Sequence, residues 1–202
     1  MEYLVTMTTR VPDGTPEQAV TDIRTREAAR SRELAAQGHL LRLWRPPLQP
    51  GEWRTLGHFA AADDAELEKV LASMPLRVWR TDQVTPLSPH PNDPVPAPPP
   101  GPPEFLTTFT LAIPEGTPAR TVEDTDAREA DSARELARQG HLLRLWRLPP
   151  SGPGGPSALG LWRARDAAEM QAILESLPLW SWMTVQTTPL TEHPSDPALA
   201  GT

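Results

Sequence analysis

The sequence predicts an α+β protein made of two ferredoxin-like βαββαβ domains. Three observations support this prediction: a long internal repeat, the order of strand and helix signals in each copy, and a proline-rich stretch between the copies. The repeat is clearest in residues 26–45, REAARSRELAAQGHLLRLWR, which return in residues 128–147 as READSARELARQGHLLRLWR with 16 of 20 positions identical. At 202 residues the chain has room for two small domains.

The first copy begins with a strand and a long helix. Residues 2–10 alternate apolar and polar side chains, which predicts a strand. Residues 16–37 predict an amphipathic helix with Thr15 as its N-cap and Gly38 as its stop. The elements that follow are predicted as a hairpin of two strands, a short helix and a last strand, in residues 39–45, 53–61, 63–75 and 78–87.

The domain boundaries follow from the distribution of the 26 prolines. We predict domain 1 in residues 1–92, a polyproline II linker in residues 93–103 and domain 2 in residues 104–202, with a loose tail from residue 193. Helices cover only one face of a ferredoxin-like sheet. We therefore expect the domains to pack sheet to sheet as an intramolecular pseudo-dimer, in an α+β barrel-like arrangement.

Composition excludes several classes of function. The net charge of −7 argues against a nucleic-acid partner, because such proteins carry basic surfaces. The absence of cysteine excludes disulfides and thiolate chemistry, and no histidine pair has metal-ligand spacing. We thus expect neither a metal nor a cofactor. No signal peptide or membrane-spanning stretch is evident, so we expect a cytoplasmic protein without a membrane partner.

A glutamate interrupts the apolar stripe of the long helix. The stripe is formed in the first copy by Val20, Ile23, Ser31 and Leu34. Glu27 falls near the middle of this stripe, as Glu129 does in the second copy. Burial raises the pKa of an unpaired carboxylate, which suits a proton-abstracting base. The residues leave a second interpretation equally open, in which Glu27 forms a buried ion pair with Arg42 or Arg45.

Three short motifs follow one another along the chain, and the first and the last of them recur in both copies. They are the helix-to-strand pattern RE(x)5EL(x)3GHLLRLWR, the segment LPL of residues 177–179, and the endings TPLSPHPNDP and TPLTEHPSDP. Together these motifs resemble the muconolactone delta-isomerase family over nearly all of both copies. The resemblance implies a ferredoxin-like fold, a proton transfer on a butenolide ring by a helix glutamate, and assembly into larger rings. By position that glutamate corresponds to Glu27 and Glu129.

The resemblance has departures around the glutamate. The family usually has lysine directly after it, where Ala28 and Ala130 stand here, and histidine two residues before the tryptophan, where Arg42 and Arg144 stand. These departures leave the substrate open.

From the residues and the resemblance we expect a cofactor-independent isomerase that acts on a small lactone or a related enolisable ring compound. Glu27 and Glu129 are the expected catalytic bases, and the second copy is the expected better site. The expected substrate-binding residues are Arg45, Arg147, Trp44, Trp146, Trp180 and Trp182, because arginine would stabilise an enolate and tryptophan suits a flat ring. The other interpretations are a non-catalytic small-molecule binding or assembly module and a cyclase on the same fold. We also expect a higher homo-oligomer of pseudo-dimers.

Overall fold

The computed structural model describes residues 1–94, 101, 103–150, 152, 155 and 157–199. The chain divides into two compact units: unit 1 contains Met1–Leu87 and the end of the chain from Thr191 onward, and unit 2 is Ser88–Leu190. The end of each sequence repeat thus belongs to the unit built mainly by the other repeat. Most of the predicted linker, residues 93–103, lies outside the described residues.

Unit 1 has the predicted βαββαβ order. Its elements are β1 (Glu2–Thr9), α1 (Glu17–Ala36), β2 (Leu40–Arg45), β3 (Arg54–Ala60), α2 (Asp64–Ala72) and β4 (Arg80–Pro89). The strands pair antiparallel in the order β2-β3-β1-β4. A 3-10 turn, Pro75–Trp79, connects α2 to β4. This is the ferredoxin-like arrangement.

Unit 2 repeats the arrangement. Its elements are β5 (Glu104–Leu111), α3 (Ala119–Arg138), β6 (Leu142–Arg147), β7 (Ala158–Arg163), α4 (Ala167–Glu175) and β8 (Met183–Glu192). The strands pair antiparallel in the order β6-β7-β5-β8, and a 3-10 turn, Trp180–Trp182, precedes β8. The α+β class and the ferredoxin-like units are confirmed, whereas their sheet-to-sheet packing stays a prediction. Within the described residues, no helix combines the length and apolarity that crossing a membrane requires.

The long helix α1 lies with its predicted stripe toward the sheet. Ile23, Ser31 and Leu34 are buried there, and Gly38 ends the helix with a φ of 78°. The predicted N-cap at Thr15 is wrong. Its hydroxyl donates instead to the carbonyl of Pro12 at 2.6 Å, so it closes the preceding turn rather than the helix.

The segment after β8 is not loose in its described part, so that prediction is wrong. The carboxylate of Asp196, 3% exposed, accepts hydrogen bonds from the Leu43 N–H at 3.1 Å and from Arg42 Nη2 at 3.0 Å. In unit 2, Asp93 accepts in the same way from Arg144 Nε at 3.2 Å. The motif HPxD, residues 90–93 and 193–196, therefore binds the end of one repeat to the second strand of the other.

Candidate active site

In unit 1, Glu27 is held by a backbone amide and an arginine. Its Oε2 accepts from the Leu76 N–H at 2.8 Å, and its Oε1 accepts from Arg80 Nη1 at 3.2 Å. The side chains of Arg80 and Glu27 are 2% and 12% exposed. Burial raises the pKa of Glu27, while the Leu76 amide and the Arg80 charge act in the opposite direction. The ion pair is real, but the predicted partners, Arg42 and Arg45, are wrong.

Arg80 is shared between two carboxylates. Its Nε donates to Asp82 Oδ1 at 2.6 Å, and the Asp82 side chain is only 3% exposed. The charge of Arg80 is thus balanced by Glu27 and Asp82, which explains how a guanidinium is tolerated in this buried place.

In unit 2, Glu129 keeps the amide and has no arginine. Its Oε2 accepts from the Leu179 N–H at 3.0 Å. Met183 stands at the position of Arg80, and no ion pair of Glu129 occurs among the described residues. Burial raises the pKa of Glu129, the Leu179 amide lowers it, and the nearby Asp126 raises it further.

The Pro-Leu motif explains why a backbone N–H is available to donate a hydrogen bond to each glutamate. Pro75 opens the 3-10 turn of unit 1, and Leu76 follows at the second position. The first N–H groups of a helical turn have no partner within the turn. The Leu76 N–H, like that of Leu179 after Pro178, is therefore available to fix a carboxylate.

Each glutamate lies on the wall of a cavity. The cavity of unit 1 measures about 210 Å³, and its polar wall includes Arg24, Ser31, Arg45, Thr55 and Arg80. The cavity of unit 2 is larger, about 350 Å³, and its apolar wall includes Phe109, Leu111, Leu145, Trp162 and Met183. Phe109 and Trp162 meet edge to face with their ring centroids 6.2 Å apart. A cavity with a helix glutamate on its wall is therefore present in both units, with different linings.

The HPxD motif contributes a neutral histidine to each cavity. His193 lines the cavity of unit 1, and its Nδ1 accepts from the Ser195 N–H at 3.1 Å. Burial and then Arg45 lower the pKa of His193 to about 4, Asp196 acts in the opposite direction, and Arg24 adds a smaller lowering. His90 lines the cavity of unit 2, where burial and Arg147 lower its pKa.

The predicted substrate-binding residues are distributed unevenly. Arg45 lines the cavity of unit 1, whereas Arg147 is exposed and does not belong to the lining of the cavity in unit 2. Trp44 and Trp146 are 2% and 3% exposed. Each lies under the guanidinium two residues before it, with 4.8 Å from Cζ to the ring centroid. Neither tryptophan is among the residues that line these two cavities, and their role in substrate binding stays a prediction.

Trp180 and Trp182 also lie outside the cavity linings of the described residues. Both are half-buried, and Trp180 packs against the core of unit 2. The aromatic wall of that cavity comes from Phe109 and Trp162 instead. Sequence reasoning missed Trp162 because a tryptophan on a strand is more often part of the core. It missed Arg80 because nothing in the chain marks a partner 53 residues from Glu27.

The muconolactone delta-isomerase family model matches the chain twice, over residues 1–93 and 104–196. The chain belongs to this family. The muconolactone delta-isomerase 1 of Acinetobacter lwoffii is 33% identical over 91 residues, which is 45% of this chain and 91% of that protein. The muconolactone delta-isomerase of Rhodococcus opacus is 32% identical over 92 residues, which is 46% of this chain and 95% of that protein. Each relative therefore corresponds to one repeat.

A solved structure matches nearly the whole chain. The chlorite dismutase of Candidatus Nitrospira defluvii, in complex with imidazole, covers 98% of this chain and 94% of that chain, with a TM-score of 0.60 and 8% identity. At this identity the similarity concerns the fold alone. Among the described residues of this family member, no group of three or more histidine and carboxylate side chains is arranged to hold a metal ion.

Proposed function

We propose that this chain is a cofactor-independent isomerase that moves a proton between carbons of a small lactone or a related enolisable ring compound. One observation carries the proposal. In both units, a half-buried glutamate of raised pKa is fixed by a backbone amide on the wall of a cavity. Membership in an isomerase family agrees with this chemistry.

The reaction needs one group that both removes and returns a proton. The carboxylate of Glu129 takes a proton from a ring carbon, and the electron pair of the broken C–H bond moves into a dienolate. The carboxylic acid so formed exchanges with solvent and gives a proton to another ring carbon, which shifts the double bond. A pKa raised by burial favours this exchange near neutral pH, because it brings the base closer to the working range.

The dienolate oxygen needs a donor or a cation. In unit 1, Arg24, Arg45 and Arg80 line the cavity and supply positive charge. In unit 2, the side chain of Asn92 lines the cavity and carries two amide N–H donors. The Leu76 and Leu179 amides are already used to hold the glutamates.

Glu27→Gln, Glu129→Gln and the double variant test the bases. The assay is turnover of muconolactone and of a neutral methyl-substituted butenolide, followed by deuterium uptake from D₂O. We expect the double variant to lose roughly a thousandfold in kcat/KM, in the range for removal of a general base. Glutamine keeps the shape and still accepts the hydrogen bond from the amide.

Glu33→Gln and Glu135→Gln are the matched controls, because these glutamates lie six residues further along the same helices, with side chains 61% and 44% exposed. Full turnover by the double Glu27 and Glu129 variant contradicts the assignment of the bases. Binding of a lactone with no proton exchange in any variant, wild type included, supports a second candidate, a binding module. The pairing of Glu27 with Arg80 is the observation that favours this candidate for unit 1, since an ion pair lowers basicity.

A further inference from the structure

We infer that the two cavities select ligands of different charge: the cavity of unit 2 takes an uncharged, largely apolar ring compound, and that of unit 1 takes a ring compound with a carboxylate. The inference depends on the proposed function only in the choice of lactones as probes. It comes from side chains at equivalent positions of the two repeats, which line the respective cavities in both units.

The charged positions differ in sign or in kind. Arg24 lines the cavity of unit 1, and its equivalent, 102 residues later, is Asp126, which lines the cavity of unit 2. Arg80 is replaced by Met183. One cavity thereby loses two cationic side chains and acquires an anionic one.

The polar positions change in the same direction. Thr9 of unit 1 corresponds to Leu111, and Ser31 corresponds to Ala133, all four in contact with their cavities. Small hydroxyls that would solvate a polar ligand are thus replaced by hydrocarbon. Burying a carboxylate against such a wall is costly unless a partner is supplied.

Two arginines that line the unit 1 cavity, Arg24 and Arg45, form no ion pair with a carboxylate among the described residues. Arg24 stacks over the ring of Trp53, with 4.8 Å from Cζ to the centroid. Arg45 also lines the cavity, and both arginines depress the pKa of His193. The positive potential that acts on His193 is the potential that a ligand carboxylate would meet.

Arg147 is the arginine that acts on the histidine of the unit 2 cavity. Arg147 lowers the pKa of His90, but its side chain is exposed and stands outside the cavity lining. Asp126 on the wall opposes it, as does the ionised form of Glu129. A ligand carboxylate is therefore disfavoured here, whereas a flat neutral ring meets Phe109 and Trp162.

Reciprocal charge exchange at Arg24 and Asp126 tests the inference, because both residues are exposed on the helix and their replacement leaves the core intact. The probes are muconolactone, which carries a carboxylate, and the corresponding methyl-substituted butenolide, which does not. Binding is measured by calorimetry, and crystals soaked with each probe show which cavity it enters. Arg26→Asp and Glu123→Arg are matched controls, since these exposed side chains on the same helices do not line a cavity.

We expect Arg24→Asp to weaken muconolactone binding roughly tenfold and to leave the neutral lactone within about twofold. Asp126→Arg should admit muconolactone to unit 2, so that the stoichiometry rises from one to two. Muconolactone in the unit 2 cavity of the wild type, equal responses of both probes, or no binding of the neutral lactone overturns the inference. Selective binding without proton exchange leaves the inference standing while the proposed isomerase activity fails.

Discussion

Glu27 and Glu129 occupy the same position of the same helix in their repeats, yet they have different surroundings. Both accept a hydrogen bond from the amide of the leucine that follows a proline. Glu27 also pairs with Arg80, whereas the equivalent position of unit 2 is Met183, which lines the same cavity as Glu129. The backbone thus positions the carboxylate alike in both units. The side chain at the start of the last strand, Arg80 or Met183, decides whether a cation lowers the pKa of that carboxylate.

The same contrast extends to the cavities. In unit 1, Arg24 and Arg45 line a smaller cavity, and in unit 2 Asp126, Phe109 and Trp162 line a larger one. Two sites that share a helix and an anchoring amide can therefore differ in basicity and in ligand charge at once. Variants that give one unit the side chains of the other separate the basicity of the glutamate from the ligand charge that the cavity selects.

The anchors of the two HPxD motifs should give the largest difference in stability. We expect Asp196→Ala to cost about 3 kcal/mol, because it leaves the Leu43 N–H and the Arg42 guanidinium without their acceptor. Asp93→Ala should cost less, about 2 kcal/mol, since the Asp93 side chain is 13% exposed and that of Asp196 is 1% exposed. Urea unfolding followed by far-UV circular dichroism measures both values.

Asp196→Asn and Asp93→Asn serve as controls that retain one acceptor oxygen. Each should lose less stability than the alanine variant at the same position. Equal losses for the two alanine variants would show that burial does not distinguish the anchors of the two units.

Much of the fold was predictable because it depends on local signals. Alternating side chains predict β1, and the glycine that ends α1 has the positive φ that its position requires. The stripe also placed Glu27 and Glu129 on the side of the helix that faces the sheet, where each of them lines a cavity. Within one repeat, the periodicity of apolar residues was enough to predict the order of strands and helices.

The site partners were not predictable because they join distant parts of the chain. Arg80 reaches Glu27 of helix α1 from strand β4, and Asp196 reaches Arg42 across 154 positions. The repeat itself obscures the second contact, because it assigns Asp196 to the second copy while the fold places it in unit 1. The places of Trp44 and Trp146 under Arg42 and Arg144 could not be predicted either, because periodicity does not show which strand side chains stack on one another.

His193 should give a pH-dependent loss of stability. Its pKa in the folded protein is about 4, below the ordinary 6.5, so the unfolded chain binds the proton first as the pH falls. Stability is therefore complete above about pH 6.5 and decreases toward pH 4, on the order of 2 kcal/mol after screening by solvent. Protonation of Nδ1 also removes the acceptor for the Ser195 N–H.

His193→Asn keeps a short acceptor for that N–H and removes the titrating ring. We expect the free energy of unfolding of this variant to fall less than that of the wild type between pH 7 and pH 4. Parallel curves for the two proteins would exclude His193 as a source of the acid sensitivity.

The smallest expected effect distinguishes the two glutamates directly. Burial raises the pKa of Glu129 above its ordinary 4.5, so the folded state holds that proton more tightly than the unfolded state does. The ionised form then costs stability above the folded pKa, and Glu129→Gln should stabilise the protein by about 1 kcal/mol at pH 7. This gain should shrink as the pH falls toward 4, where the wild-type carboxyl is protonated.

Glu27→Gln should give a smaller gain or a loss at pH 7, because it removes one of the two carboxylates that balance Arg80. Thermal unfolding of both variants at pH 7 and pH 4 provides the comparison. Equal gains in stability would mean that Arg80 does not stabilise the ionised form of Glu27. The two units would then differ electrostatically only in the other side chains that line their cavities. A gain for Glu129→Gln together with lost turnover would instead show that unit 2 sacrifices stability to keep an unpaired carboxylate beside its cavity.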